Sequence, residues 1–367
     1  MVDFATRSRI WLDVARWAPS GDNLQPWKVV WSFQTDRIVA EVSLNQESRT
    51  PRFLEFEFRS LYVALGAFAQ NLVLLLAAEG YRLLTIDANE EAEASEIAFH
   101  LVFVDLGTGP DAQSFSEISE LIKRRTVSRY PFETRSIGHD VLDNLKKLSE
   151  KVPEIRVLLL NKERRALARQ LMSLDVIRYE HAEIRQSFFD RMRFGKQNEI
   201  EGNGLNVKTF GVPAPVQWML WSFKRFRGLY IFFSLGLQYI YAYLGCYRLI
   251  MRSGDLFAMR SDDDSPLGWF RLGMAMQDSW LELTRRGISV QPVGVSLLVY
   301  RYRKEALRNV FRFSPKQQMR LDRANRFFSE QYSIDLLKPC LVFRAGFGPR
   351  IQNLSSRRKP GVTPIKS

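Results

Sequence analysis

Cysteine and histidine are scarce in this chain of 367 residues, which holds two cysteines, Cys246 and Cys340, and three histidines, His100, His139 and His181. The cysteines are far apart and have no CxxC partner. That argues against a disulfide framework or a thiolate metal site, and fits a reducing cytoplasm. The histidines are scattered, so a histidine-held metal and a Ser-His-Asp triad both lack the side chains they need. No dense Lys/Arg tract with interleaved aromatics appears, and nucleic acid is not an expected partner. The first residues, Met1 to Arg7, do not combine a basic region with an apolar core, so no secretory signal is expected. With so few groups suited to hard chemistry, an organic cofactor is the natural way to supply it.

Positive charge, by contrast, is plentiful. Lys and Arg number 53 against 40 Asp and Glu, a formal charge of +13. This balance favours anionic partners, a phosphate-bearing cofactor or a membrane surface. A hydrophobic content of 46% is ample for one large core or two smaller ones.

Apolar spacing predicts a helix over Ser8–Trp17, stopped by the turn formers Ala18 to Asn23. Strands are predicted at Trp27–Phe33 and Arg37–Leu44, then a long apolar helix from Arg52 to Ala78 with Gly80 as its C-cap signal. A strand at Ile97–Asp105 ends this half. The second pass predicts helices at Ile118–Arg125, Asp140–Lys151, Lys162–Arg193, Leu267–Arg286 and Pro315–Glu330. Its predicted strands are Ile155–Leu160, Val293–Tyr302 and Cys340–Arg344. One internal match bears on the fold. Leu65, Gly66, Gln70 and Gly80 recur at a constant offset as Leu272, Gly273, Gln277 and Gly287, as expected of a repeated domain half. The chain thus divides into a first half (1–110), the start of a second half (111–203), an aromatic-rich insertion (204–254) and a closing part with a basic tail (255–367).

Within the insertion, Leu229 to Tyr247 is nineteen residues without a charge, close to a bilayer span. Lys224, Arg225 and Arg227 precede it, and Arg248 and Arg252 follow. Glycines, Gln238 and five tyrosines dilute its hydrophobicity. A buried lid or core helix, a membrane-surface segment through 221–252, and a true span are the three readings open at this level.

Two local motifs carry chemistry. In Ala18-Pro19-Ser20-Gly21-Asp22-Asn23-Leu24-Gln25-Pro26-Trp27, a helix end meets a tight polar loop and a strand start. Backbone N–H groups with Ser and Asn side chains suit the polar edge of a flat heterocycle, although an ordinary capped turn has the same composition. In Lys123-Arg124-Arg125-Thr126-Val127-Ser128-Arg129-Tyr130-Pro131-Phe132, clustered cations and hydroxyls at a helix end suit a phosphate, although solvated basic turns look alike.

The first string resembles the APSxxNxQPW motif of the FMN-dependent nitroreductase family, and the second resembles that family's RRSxRxF motif. The resemblance implies an α+β nitroreductase-like fold, with two tandem halves of mainly antiparallel sheet flanked by helices forming an intrachain pseudodimer. It implies flavin contacts from Pro19, Ser20, Gly21, Asn23 and Gln25, and a phosphate grip from Arg124, Arg125 and Thr126, with Arg129 aligning after one inserted residue. Gln291-Pro292-Val293-Gly294 stands where the family places a loop whose amides approach the ring, implicating Val293 and Gly294. The closing Arg344-Ala345-Gly346 and Ser355 to Pro360 look like the family's final pattern and add Arg357 and Arg358; a plain basic tail would read the same way. The motif order is similar to the fused Acg-like branch, because the Arg motif follows the APS loop and no second APS loop appears. FMN, or FAD in its place, is the implied cofactor and NAD(P)H the implied donor. The implied activity is hydride exchange with a flat or apolar small molecule, with a closed flavin-storage protein as the alternative. A cytoplasmic monomer or homodimer is expected, with peripheral membrane contact if the insertion faces lipid.

Overall fold

A computed structural model describes residues 4–34, 37–48, 58–150, 152, 154–196, 201–303, 313–349, 351, 353–358 and 365–366. Two four-stranded sheets organise it. The first contains β1 (Trp27–Gln34), β2 (Arg37–Leu44), β3 (Tyr81–Ala88) and β4 (Ala98–Asp105) in the order β1-β2-β4-β3. After β5 (Ile155–Leu159) come two short strands, β6 (Met192–Arg193) and β7 (Leu205–Asn206), which pair only with each other. The second sheet joins β5 to β8 (Asp255–Ser261), β9 (Ser289–Pro292) and β10 (Cys340–Gly346) in the order β5-β8-β10-β9. All pairings within these four-stranded sets are antiparallel, and in both sets a long helix separates the second strand from the third. The two sheets therefore share one connectivity. A last strand, β11 (Ile365–Lys366), runs parallel to β1 and extends the first sheet at its edge.

The two long helices, Arg59–Ala78 and Pro266–Arg285, pack against each other at the centre. Glycine permits this approach: a methyl group on Gly66 would overlap the Phe270 carbonyl oxygen, and one on Gly273 would overlap that of Val63. The offset relating Val63 to Phe270 is the one relating Gly66 to Gly273, so the contact is reciprocal. Buried Gln277 Nε2 donates to Asn71 Oδ1 at 2.7 Å, and Asn71 Nδ2 donates to the Ala15 carbonyl at 3.0 Å. This amide chain satisfies polar groups that would be costly to bury alone and fixes the end of the Phe4–Ala15 helix, from which the candidate site loop departs.

Side-chain alternation explains the continuous apolar run of the second sheet. Phe257, Met259, Phe343 and Ala345 face the central helices, while Leu256, Ala258, Cys340 and Val342 face a second core formed with the helices Arg164–Glu180 and Pro315–Tyr332. A strand buried on both faces loses its polar alternation, and β8 was accordingly not foreseen. The edge strand β3 was missed as well. Two expectations need correction, and a third lies partly outside the described residues. Val293–Tyr302 is not a strand but a 3-10 turn, Gly294–Ser296, followed by the helix Leu297–Arg303. The long helix predicted over Lys162–Arg193 is two helices, Arg164–Glu180 and Ala182–Asp190, broken at extended His181. The first long helix begins at Arg59 within the described residues, and 51–57, where its start was expected, lies outside them.

Candidate cofactor site

The Phe4–Ala15 helix unwinds through turns at Arg16, Trp17 and Ala18 into the 18–26 loop. Ser20 Oγ accepts from the Gln25 amide at 3.0 Å and closes this loop on itself. Asp22, Asn23 and Gln25 all have left-handed backbone, with φ of 50°, 56° and 53°. Asn and Asp tolerate this region better than Gln does, and such strain persists only where surrounding structure holds it. Gln25 is held tightly: its Nε2 donates to the carbonyls of Gly202 at 2.7 Å and Asn23 at 3.2 Å, and its Oε1 accepts from the Arg358 amide at 2.9 Å. Asn23 Nδ2 donates to the Ser356 carbonyl at 2.9 Å, and Arg16 Nη1 to the Arg358 carbonyl at 2.6 Å. The tail segment 355–358 thus runs as an extended strip across the loop.

Beside this loop lies Arg125, only 3% exposed. Its Nη2 donates to the Trp17 carbonyl at 2.8 Å and its guanidinium sits 4.7 Å from the Trp280 ring, while Nε and Nη1 are buried without a hydrogen-bond partner. Burial, with a contribution from nearby Arg357, pushes its pKa down to about 9. Arg357 lies 5.2 Å from the Trp17 ring, has a buried unpartnered Nε, and is pushed down to about 10 by burial and by Arg16. Among the described residues no carboxylate pairs with either. Arginine ordinarily stays protonated, so these depressions mark positive charge gathered in a dry place without its counterion.

A second group of cations adjoins the first. Arg344, fully buried in β10, donates Nε to Gln291 Oε1 at 2.5 Å and Nη2 to the carbonyls of Ser128 and Tyr130 at 3.1 and 2.8 Å; its Nη1 has no partner. Burial, with a smaller contribution from Arg129, drives its pKa down to about 9. Arg129 donates to Thr209 Oγ1 at 3.2 Å, lies 5.1 Å from the Phe210 ring, and is lowered to about 10 by burial against the opposing field of Asp22. Asp22 itself pairs with Arg191. Buried Asp175, whose pKa burial raises, pairs with Arg178 at 3.1 Å.

The structure brings Ser20, Asn23, Gln25, Arg357 and Arg358 together, and Arg125 joins them through Trp17. Pro19 is half-buried at the mouth of the loop and Thr126 half-buried beside Arg125. Other expected residues stand apart. Arg124 is exposed and donates to the Thr284 carbonyl at 3.2 Å. The Val293 amide is taken by the Val342 carbonyl at 2.7 Å, and Gly294 is exposed. A Cβ on Gly21 would meet no protein atom, and the left-handed backbone falls on its neighbours instead. Sequence reasoning missed Arg16, Trp17, Arg178 and Arg191, and it gave Arg344 no role of its own. A usable signal for Arg344 exists, since a lone cation inside the apolar run Leu341 to Ala345 must find partners. Two surface cavities, of about 740 and 550 Å³, include neither the arginines nor the loop. A scan against protein-family models found no match, and a search of curated proteins found none.

Proposed function

We propose that this protein is an FMN-dependent oxidoreductase of the nitroreductase type, its two sheet-bearing halves forming an intrachain pseudodimer that holds one flavin. The observation that carries this reading is buried Arg125 with half-buried Arg357, whose Nε is buried, neither paired with any described carboxylate, beside a polar loop whose sequence resembles the family's ring-side motif. Their free N–H groups fit a phosphate, the anion that would offset their charge. The shared sheet connectivity and the reciprocal glycine contact support the tandem-half arrangement.

When bound, a flavin supplies two-electron hydride exchange, with NAD(P)H as donor and a flat or apolar organic molecule as the other substrate. The chain's part is positioning and electrostatics. Arg125 and Arg357 hold the phosphate end. Ser20 closes the 18–26 loop, and Asn23 and Gln25 tie it to the 355–358 strip that carries Arg357. The Trp280 ring covers Arg125 and the Trp17 ring covers Arg357, keeping water from the charged contacts and strengthening them. Purified protein should be yellow, and mass spectrometry of the released cofactor should return FMN. Colourless protein whose apo form does not take up added FMN or FAD would overturn the assignment.

A second reading rests on one observation: the amides of Asn23 and Gln25 are spent on the 355–358 strip. In this reading the loop is closed and the protein stores flavin without turning it over. Prompt bleaching by NADH or NADPH would favour the enzyme, and a flavin resistant to both would favour storage.

A further inference from the structure

The segment between Glu201 and Asp255 contains no Asp or Glu, yet it holds Lys208, Lys224, Arg225, Arg227, Arg248 and Arg252. Its apolar side chains divide between two faces. Phe233, Ala242, Cys246 and Leu249 are buried against the protein together with polar Gln238, and Phe233 stacks 5.6 Å from Tyr179. On the other face Leu235 is 74% exposed, Trp218 69%, Ile231 58% and Ile240 56%, with Phe226, Phe232 and Leu244 beside them. A patch this dense is rare on a soluble surface without a partner. The cavity of about 740 Å³ opens within it, lined by Trp218, Phe226, Leu235 and Ile240.

We infer that this face docks on the surface of an anionic lipid bilayer, with the apolar side chains entering the headgroup boundary and the cations meeting lipid phosphates. The charge pattern selects the occupant. Residues 202–254 supply only cations around an aromatic and aliphatic centre, with Asp190 of the adjoining helix 3.9 Å from Arg227 as an acidic neighbour, and this excess of positive charge complements anionic headgroups over an acyl layer. Exposed Arg225 and Arg227 stand at one end of the 227–251 helical segment, and Arg248 and Arg252 at the other. Trp218, Trp221, Tyr239 and Tyr243 supply the amphipathic rings suited to the interface. Lys316 reaches Tyr239 Oη from the neighbouring helix and widens the basic rim, while Arg320, paired with Glu180, also donates to that hydroxyl. The segment lies on the bilayer rather than crossing it, because its other face is already packed into the protein. Its apolar window is only 22% buried, against 78% for the comparably apolar Arg59–Ala78 helix, so here the apolar character faces outward instead of forming core.

The test is co-sedimentation of the full chain with vesicles. Wild type should pellet with phosphatidylcholine vesicles carrying about 30 mol% phosphatidylglycerol, and partition at least about tenfold less to phosphatidylcholine alone or in about 0.5 M salt. Leu235→Glu with Ile240→Glu should cut partitioning at least about tenfold. Leu106→Glu, at a comparably exposed apolar position outside the patch, should leave it unchanged, and matching circular dichroism spectra would confirm that all variants fold. Absence of pelleting, or equal pelleting of the double variant, overturns the inference. So does a doubled solution mass that the double variant abolishes without any vesicle binding, since the face would then be an interface between copies. Vesicle binding is read without the flavin: colourless protein that still pellets would refute the proposed cofactor and leave this inference standing.

Discussion

Gly66 and Gly273 each lie against a backbone carbonyl of the other's helix, and neither position has room for a side chain. Two helices that meet through glycine on both sides approach more closely than larger residues allow, and buried Asn71 and Gln277 then lock the contact by a hydrogen bond. This junction brings the two long helices and both sheets into one core.

Gly66→Ala and Gly273→Ala should each destabilise the protein by about 2–4 kcal/mol, since overlap with backbone cannot be relieved by a rotamer change. Gly228→Ala, where a Cβ meets nothing, should stay within about 0.5 kcal/mol of wild type. Denaturant unfolding followed by circular dichroism measures both. Near-equal stability of all three variants would show that the helices are not this close.

Arg125→Ala should weaken flavin binding by about ten- to hundredfold, the loss of about 1.5–3 kcal/mol in charge-assisted contacts. Arg124→Ala should change it by less than about threefold, because this side chain points to Thr284 at the surface. Fluorescence titration of the apoprotein with FMN separates them, and equal losses would remove the distinction.

An anion should stabilise the flavin-free protein. Positive charge held at Arg125, Arg344 and Arg357 without a counterion among the described residues costs folding energy. FMN at about 100 times its Kd should add about 2.7 kcal/mol, raising Tm by about 3–4 °C for a chain of this size. Differential scanning fluorimetry reads this directly, and riboflavin, which lacks the phosphate, should give a clearly smaller shift.

Gln25→Ala removes the side chain that grips both Gly202 and the Arg358 amide. The 355–358 strip should then be cut by trypsin after Arg357 or Arg358 several-fold faster than in wild type, in proportion to its opening. A mass-spectrometric time course checks this, and unchanged cleavage would mean that other contacts hold the tail.

Both thiols should resist alkylation in the folded protein. Burial raises the Cys246 thiol well above its ordinary range and pushes Cys340 up to about 12, so little thiolate is present at neutral pH. Maleimide labelling should proceed only on unfolding, and rapid native labelling of either cysteine would contradict the packing.

Much of this organisation was legible in the residues. The 18–26 loop announced itself through its turn formers and its flanking helix and strand. The recurrence of Leu65, Gly66 and Gln70 as Leu272, Gly273 and Gln277 marked two equivalent helices before any contact was known. Periodicity and turn chemistry are local, and a local code can be read along the chain. Strands β8 and β3 escaped because one is buried on both faces and the other is an exposed edge, and burial is a property of neighbours. That Arg125 turns inward while adjacent Arg124 faces solvent depends on where Trp17 and Trp280 stand, and those come from segments far apart in the chain. The sequence alone determined the two long central helices and which loops carry polar groups. The tertiary structure alone decided which charges lose their water and which aromatic side chains keep theirs, because desolvation is set by everything that packs around a group and not by its place in the sequence.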